Sequence, residues 1–402
     1  MKRRFLHGGL ALLGYAACRP LLAAAPVASP PPAAPAGAAA GRLLRVGPGQ
    51  SLRTLAAAAA QARDGDTIEV DAGEYSGDVA VWTRDRLTVR GVGGPVRLLA
   101  AGASAEGKAI WVVRGDRMLV ENIEFVGARV GDLNGAGIRH EKGALSVRQC
   151  RFLDNQNGIL TSNDKTLELH VERCEFSGYT GREEGIFHNL YAGTIRRLSV
   201  SGCYFHAARV GHLLKSRAGE NHIFYNRLTD ESGGRASYEL EFPAGGLAYV
   251  VGNLIQQGSL TENPHLIAFG AEGYKWPRNE LHLVHNTLID DRPRGGVFLR
   301  VKSGVDRVRA VNNLLVGKGS LESAAPGEYA ANPNVDWDVF ARAVRQDYRL
   351  RRGALPGVRL AVPDSAGGVD LAPRMEYVHP CQLRPLSGTA TLPGALQSEA
   401  PA

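Results

Sequence analysis

Reactive side chains crowd into one stretch of this sequence. His188, Asn189, Tyr191, His212, Lys215, Arg217, Glu239 and Glu241 fall within it, and Trp276 follows in the segment GYKWPRNE. Lys215 and Arg217 are two positions apart, so on an extended strand they share a face at about 7 Å separation. Such a pair can supply a base and a guanidinium that grips a carboxylate in bidentate fashion. The guanidinium eases proton loss from the lysine, and Glu241 opposes it. Tyr191 or His188 can protonate a departing oxygen, with His212 a further acid–base candidate. Glu239 and Glu241 share the same spacing, and two such carboxylates also suit hydrolysis of a glycosidic bond. The plainer reading of these charges is a salt-bridge ladder worth about 0–1 kcal/mol per exposed pair.

What positions these residues is a repeat. VENIEF (from Val120), VRQCRF (Val147), VERCEF (Val171), VSGCYF (Val200), IFYNRL (Ile223), VVGNLI (Val250), LVHNTL (Leu283) and AVNNLL (Ala310) share one pattern. Their fourth residues are Ile123, Cys150, Cys174, Cys203, Asn226, Asn253, Asn286 and Asn313, at intervals of 23 to 33 residues. Each interval holds short alternating strands broken by Gly, Asn or Asp turns and no helix long enough for a β–α crossover. The pattern predicts an all-β, right-handed parallel β-helix, each coil pairing with the next. Asn226, Asn253, Asn286 and Asn313 then stack as an amide ladder, and Cys150, Cys174 and Cys203 continue the column as free buried thiols. Residues 51–62 read as a helix capping the N-terminal end, which a coil needs to cover its open edge.

Alternation turns Leu240 inward and Glu239 and Glu241 outward. Registered against it, Leu214 is inward and Lys215 and Arg217 outward, with Asn189 and Tyr191 outward one rung earlier. The expected surface is a column Asn189–Lys215–Glu241, with Tyr191 beside Arg217 and Glu239 on the flank. His188 and His212 fall at or near inward positions, unless the turn tips them out. The GYKWPRNE insertion offers Trp276 or Tyr274 as a groove wall.

Glycine is abundant, 49 of 402 residues, while proline is ordinary at 21, which favours many tight turns over collagen or proline-rich disorder. Lys2, Arg3, Arg4 and Arg19 account for more than half of the +7 formal charge, so the remainder gives no footprint for nucleic acid. Residues 1–25 read as an export signal, leaving Sec and twin-arginine routes open, and place the mature chain in the periplasm or outside the cell. Residues 26–41 read as a Pro/Ala-rich linker, 42–320 as the coil, and 321–402 as a last rung, cap and tail. No further segment is long and apolar enough for a membrane helix, and a monomer is expected.

GPGQSLRTLAAAAAQARDGDTIEVDAGEY (from Gly47) resembles the N-terminal cap of pectate-lyase-like β-helix proteins, and DYRLRRGALPGVRL (from Asp347) resembles their last-rung motif. The resemblance implies an exported polysaccharide lyase, acting on a uronate-containing polysaccharide by β-elimination. A uronate epimerase, a glycoside hydrolase and a non-catalytic glycan-binding protein remain open on the same fold. The alginate lyase and chondroitinase B family uses a lysine, an arginine and an Asn/Glu-x-Glu calcium site. Asn189 and Glu239-Leu240-Glu241 are similar to that set, although here Lys215 and Arg217 precede the glutamates. Calcium, or no cofactor at all, is therefore implied, with Asn189, Glu239 and Glu241 as the candidate ligands.

Overall fold

The computed structural model describes residues 41–400 except 183, 232–233 and 322–324. The expected export signal and nearly all of the linker lie outside the described residues. Runs that alternate apolar and polar side chains form short strands, three to a coil, as in Glu168–Glu172, Glu175–Ser177 and Leu190–Ala192. Successive coils pair in parallel. Ten strands, from Ala80–Trp82 to Ser320–Leu321, build one sheet, and 21 strands on the other faces build a second. The chain is an all-β parallel solenoid of about ten coils, as the repeat requires.

Register is set by like residues stacking on like. Leu145, Leu169 and Leu198 are successive partners, as are Val147, Val171 and Val200, and all six are buried. Inside the coil Phe125, Phe152, Phe176 and Phe205 stack nearly parallel, with centroids 5.0, 4.8 and 4.6 Å apart. Burying each ring contributes roughly 1.5–3 kcal/mol.

One corner is fixed by side chains rather than by strand pairing. Asn226, Asn253 and Asn286 each pass Nδ2 to the Oδ1 of the next asparagine at 3.0 Å, and Asn313 does so to Asn332 at 2.9 Å. The same Oδ1 also accepts the backbone N–H of the preceding rung, at 2.9 Å in each case. Earlier in the coil sulfur takes over. The N–H groups of Cys150 and Cys174 point to the Sγ of Cys174 and Cys203 at 3.4 Å, and Cys203 N–H reaches Asn226 Oδ1 at 2.9 Å. The three thiols are free, and burial raises those of Cys150 and Cys174 well above the usual range.

The residue before every marker takes positive φ: Asn122, Gln149, Arg173, Gly202, Tyr225, Gly252, His285 and Asn312, between 51° and 67°. A left-handed residue turns the chain sharply at this corner, and the ladder catches the N–H that the turn would otherwise leave unpaired.

The helix is shorter than expected and spans Leu55–Gln61. Thr54 caps it by accepting from Ala57 N–H, and the Asp78 carboxylate accepts from Leu55 and Ala56 N–H at its positive end. Leu55 and Ala58 bury against the first coil. At the other end parallel pairing runs on to Asn334–Val335. The chain then forms the hairpin Phe340–Arg342 with Asp347–Leu350 and returns along the coil. There Arg374 N–H meets Tyr225 Oη, Cys381 Sγ meets Cys174 O, and Ala395 N–H meets Thr287 Oγ1.

A left-handed non-glycine residue costs about 1–2 kcal/mol; glycine removes that cost, and its greater unfolded entropy takes back part of the gain. Gln149→Gly is therefore expected to stabilise the protein by about 0.5–1 kcal/mol in chemical denaturation. A loss of stability would show that the corner is not strained.

Candidate active site

The ten-stranded sheet supplies the wall that bears the candidate residues. Tyr191, Lys215, Glu241 and Ala268 are successive partners on strands Leu190–Ala192, His212–Ser216, Tyr238–Phe242 and His265–Phe269. Leu190, Leu214, Leu240 and Ile267 run beside them and are buried in the core. Lys215 and Glu241 therefore stand outward on adjacent rungs, with Leu214 and Leu240 inward, as alternation predicts.

Tyr191, not Asn189, completes the column. Asn189 is buried and donates Nδ2 to Phe176 O and His206 O at 3.3 and 2.9 Å, so it belongs to the scaffold. Glu239 departs further from expectation. Leu213 and Leu214 both enter the core, as do Leu266 with Ile267 and Phe298 with Leu299, so strict alternation breaks in this sheet. Glu239, alongside Leu213 in the pairing, faces inward with no exposure, and neither carboxylate oxygen receives a hydrogen bond from another residue. Burial, reinforced by Asp230 and Asp290, raises its carboxyl well above the usual range. Asp230, also fully buried, is pushed up to about 7 chiefly by burial.

His188 and His212 are buried, and the His212 ring is tipped toward the outward Glu241, the alternative that the turn left open. His212 Nε2 lies 2.9 Å from Glu241 Oε2, its backbone N–H donates to His188 Nδ1 at 3.1 Å, and the two rings are 4.7 Å apart. Tyr191 packs on His188 and Tyr238 on His212, each at 5.2 Å.

These groups form one charge network. Lys215 Nζ lies 3.1 Å from Glu241 Oε2 and 3.4 Å from Glu272 Oε1. Arg217 donates Nε and Nη2 to Glu272 at 2.6–2.9 Å. The Arg217 guanidinium and the Lys215 ammonium stand 5.1 and 5.9 Å from the Tyr191 ring centre. Burial alone would raise the Glu241 carboxyl, but His212 and Lys215 outweigh it and hold it below its ordinary value. Burial lowers His188 well below the usual imidazole range, and the charges of His212, Lys215 and Arg217 add to this. His188 is thus neutral, and because Nδ1 accepts from His212, Nε2 carries the proton.

Glu272 escaped the sequence reading. It directly precedes the insertion from Gly273, which was the available signal. Trp276 holds that loop: Nε1 donates to Arg217 O at 3.1 Å, the ring packs against Gly219, and Lys165 Nζ stands 4.9 Å from its centre. A side chain at Gly219 would collide with the indole. Trp276 is therefore engaged in positioning the loop, and Tyr274 does likewise through Lys302 O at 2.6 Å.

The calcium set does not assemble. Asn189 is tied to backbone carbonyls, Glu239 is inside the coil, and Glu241 faces His212 and Lys215 in the groove. Among the described residues no group of three or more His, Cys, Asp or Glu side chains is placed to hold a metal. The same separation means that Glu239 and Glu241 do not form the carboxylate pair expected for hydrolysis.

Neither a protein-family model nor a curated protein sequence matches the chain. Among solved structures, pectate lyase Pel9A superposes with a TM-score of 0.54 at 12% identity, covering 90% of this chain and 97% of that one. At that identity the likeness shows a shared fold alone, the parallel β-helix. A Geobacillus virus E2 protein, ORF18, matches more loosely (TM-score 0.38, 13% identity, 69% of this chain and 54% of that one). So does the PL6 family alginate lyase AlyGC (TM-score 0.30, 14% identity, 86% and 55%). Nothing further rests on these two.

The buried carboxyls generate a pH test. The folded state favours protonated Asp230 and Glu239: the Asp230 contribution is complete below its ordinary 3.8 and is lost as pH rises through about 7, and that of Glu239 is likewise complete at acid pH and lost at higher pH. Glu239→Gln is expected to be more stable than wild type at pH 8 and close to it at pH 4, by thermal unfolding. An equal difference at both pH values would contradict this.

Proposed function

We propose that the protein is an exported polysaccharide lyase that cleaves a uronate-containing polysaccharide by β-elimination, working as a monomer with the helix Leu55–Gln61 capping its coil. The observation that carries the reading is the outward cluster of Tyr191, Lys215 and Arg217 on adjacent rungs. A phenol and two cations stand there beside a neutral histidine donor.

Elimination removes the proton alpha to the uronate carboxylate, forms the C4–C5 double bond and expels the glycosidic oxygen from C4. Arg217 grips the carboxylate, and its fixed fork suits a planar two-oxygen partner. Lys215 Nζ is ion-paired with Glu241 and Glu272 at 3.1 and 3.4 Å, so it stands at the site as a fixed cation. Its role accordingly shifts from base to stabiliser of the negative charge that grows on the substrate as the proton leaves. Tyr191 takes that proton at Oη as the phenolate that the two cations beside its ring favour, and is left as the phenol. His188 Nε2–H then donates to the departing oxygen, and the His212 backbone N–H, donating to Nδ1, keeps His188 in that tautomer. The periplasm or the exterior is where such a substrate would be met.

The test is incubation with uronate polysaccharides, following ultraviolet absorbance of the new double bond. Tyr191→Phe is expected to lower the rate about 10²–10⁴-fold with folding intact, and Arg217→Lys to raise KM and lower kcat. New reducing ends without absorbance, or a fully active Tyr191→Phe, would overturn the assignment.

A further inference from the structure

The Arg217 fork already holds a carboxylate. Its Nε and Nη2 donate to both oxygens of Glu272, the planar two-pronged contact that a uronate would make. Glu272 comes from a different coil, 55 residues further along, and also touches Lys215 Nζ at 3.4 Å. Its backbone is anchored: Glu272 N–H donates to Pro243 O and Lys275 N–H to Ala244 O, both at 2.9 Å. Tyr274 and Trp276 pin the rest of the loop. Only the side chain, 45% exposed, has to rotate to free the guanidinium.

A half-exposed pair of this kind is weak, so its rupture costs little when an equivalent partner arrives. A neutral sugar brings no such partner and would leave Arg217 without the charge it gives up. A carboxylate-bearing sugar replaces one bidentate contact by another. We propose that Glu272 is a built-in carboxylate that occupies the Arg217 fork until an anionic ligand displaces it, and so restricts the groove to carboxylate-bearing ligands. Specificity then arises from competition as well as from attraction. The inference rests on the role given to Arg217 above.

Labelling tests it without turnover. The intact protein and its Glu272→Gln variant are treated with phenylglyoxal, and modification of Arg217 is followed by mass spectrometry with sodium glucuronate or methyl glucoside as probe. Arg217 is expected to react about fivefold faster in the variant, corresponding to loss of a pair at the upper end of exposed ion-pair strength. Glucuronate should protect it at about fivefold lower concentration than in wild type, and methyl glucoside should not protect wild type. Equal labelling rates, or equal protecting concentrations, would overturn the proposal. A reactive, glucuronate-protected Arg217 without unsaturated product from any uronate polysaccharide would sink the lyase reading and leave this one standing. Product formation with unchanged labelling would do the reverse.

Discussion

The amide and thiol column at one corner of the coil is the constraint from which the rest follows. A solenoid has no loop geometry to fix how far each turn is displaced from the last, so register must come from side chains that recognise their own kind. Here each Oδ1 or Sγ accepts the N–H of the rung before, and the left-handed residue beside it turns the chain the same way each time. With the corner held, the phenylalanine stack and the leucine and valine rows fall into line. The wall bearing Tyr191, Lys215 and Glu241 inherits that alignment.

The groove residues show how such a scaffold builds chemistry. No single strand carries the network: Tyr191, Lys215 and Glu241 come from three successive rungs and Glu272 from the turn after a fourth. Each charge is balanced by one from another coil, so the cations are held close together without mutual repulsion dominating. The neutral His188 beside them is a product of the same crowding, since burial and neighbouring positive charge both oppose its protonation.

Much of this was legible in the sequence, for a physical reason. The markers from Ile123 to Asn313 recur because every rung must satisfy the same corner, so the repeat reports the fold directly. Lys215 and Glu241 were placed on adjacent rungs because Leu214 and Leu240 demand the interior. What alternation could not decide was the neighbour one rung earlier. A shift of two residues keeps every side chain on its face, so Asn189 and Tyr191 were equally acceptable partners for Lys215. Glu239 was misplaced because two consecutive residues, Leu213 and Leu214, enter the core, and no period-2 rule allows for that. Glu272 and the returning C-terminal segment depend on contacts far apart in sequence, which a repeat does not encode.

A double-mutant cycle at Asn253 and Asn286 tests the corner most directly. Asn253 gives both its Nδ2 and its backbone N–H to Asn286 Oδ1. The two alanine substitutions should therefore be coupled, with the double variant less destabilised than the sum of the singles by about 1–2 kcal/mol in equilibrium denaturation. Additivity within about 0.3–0.5 kcal/mol would mean that the column does not act as a chain, and that something other than these amides holds the coils in register.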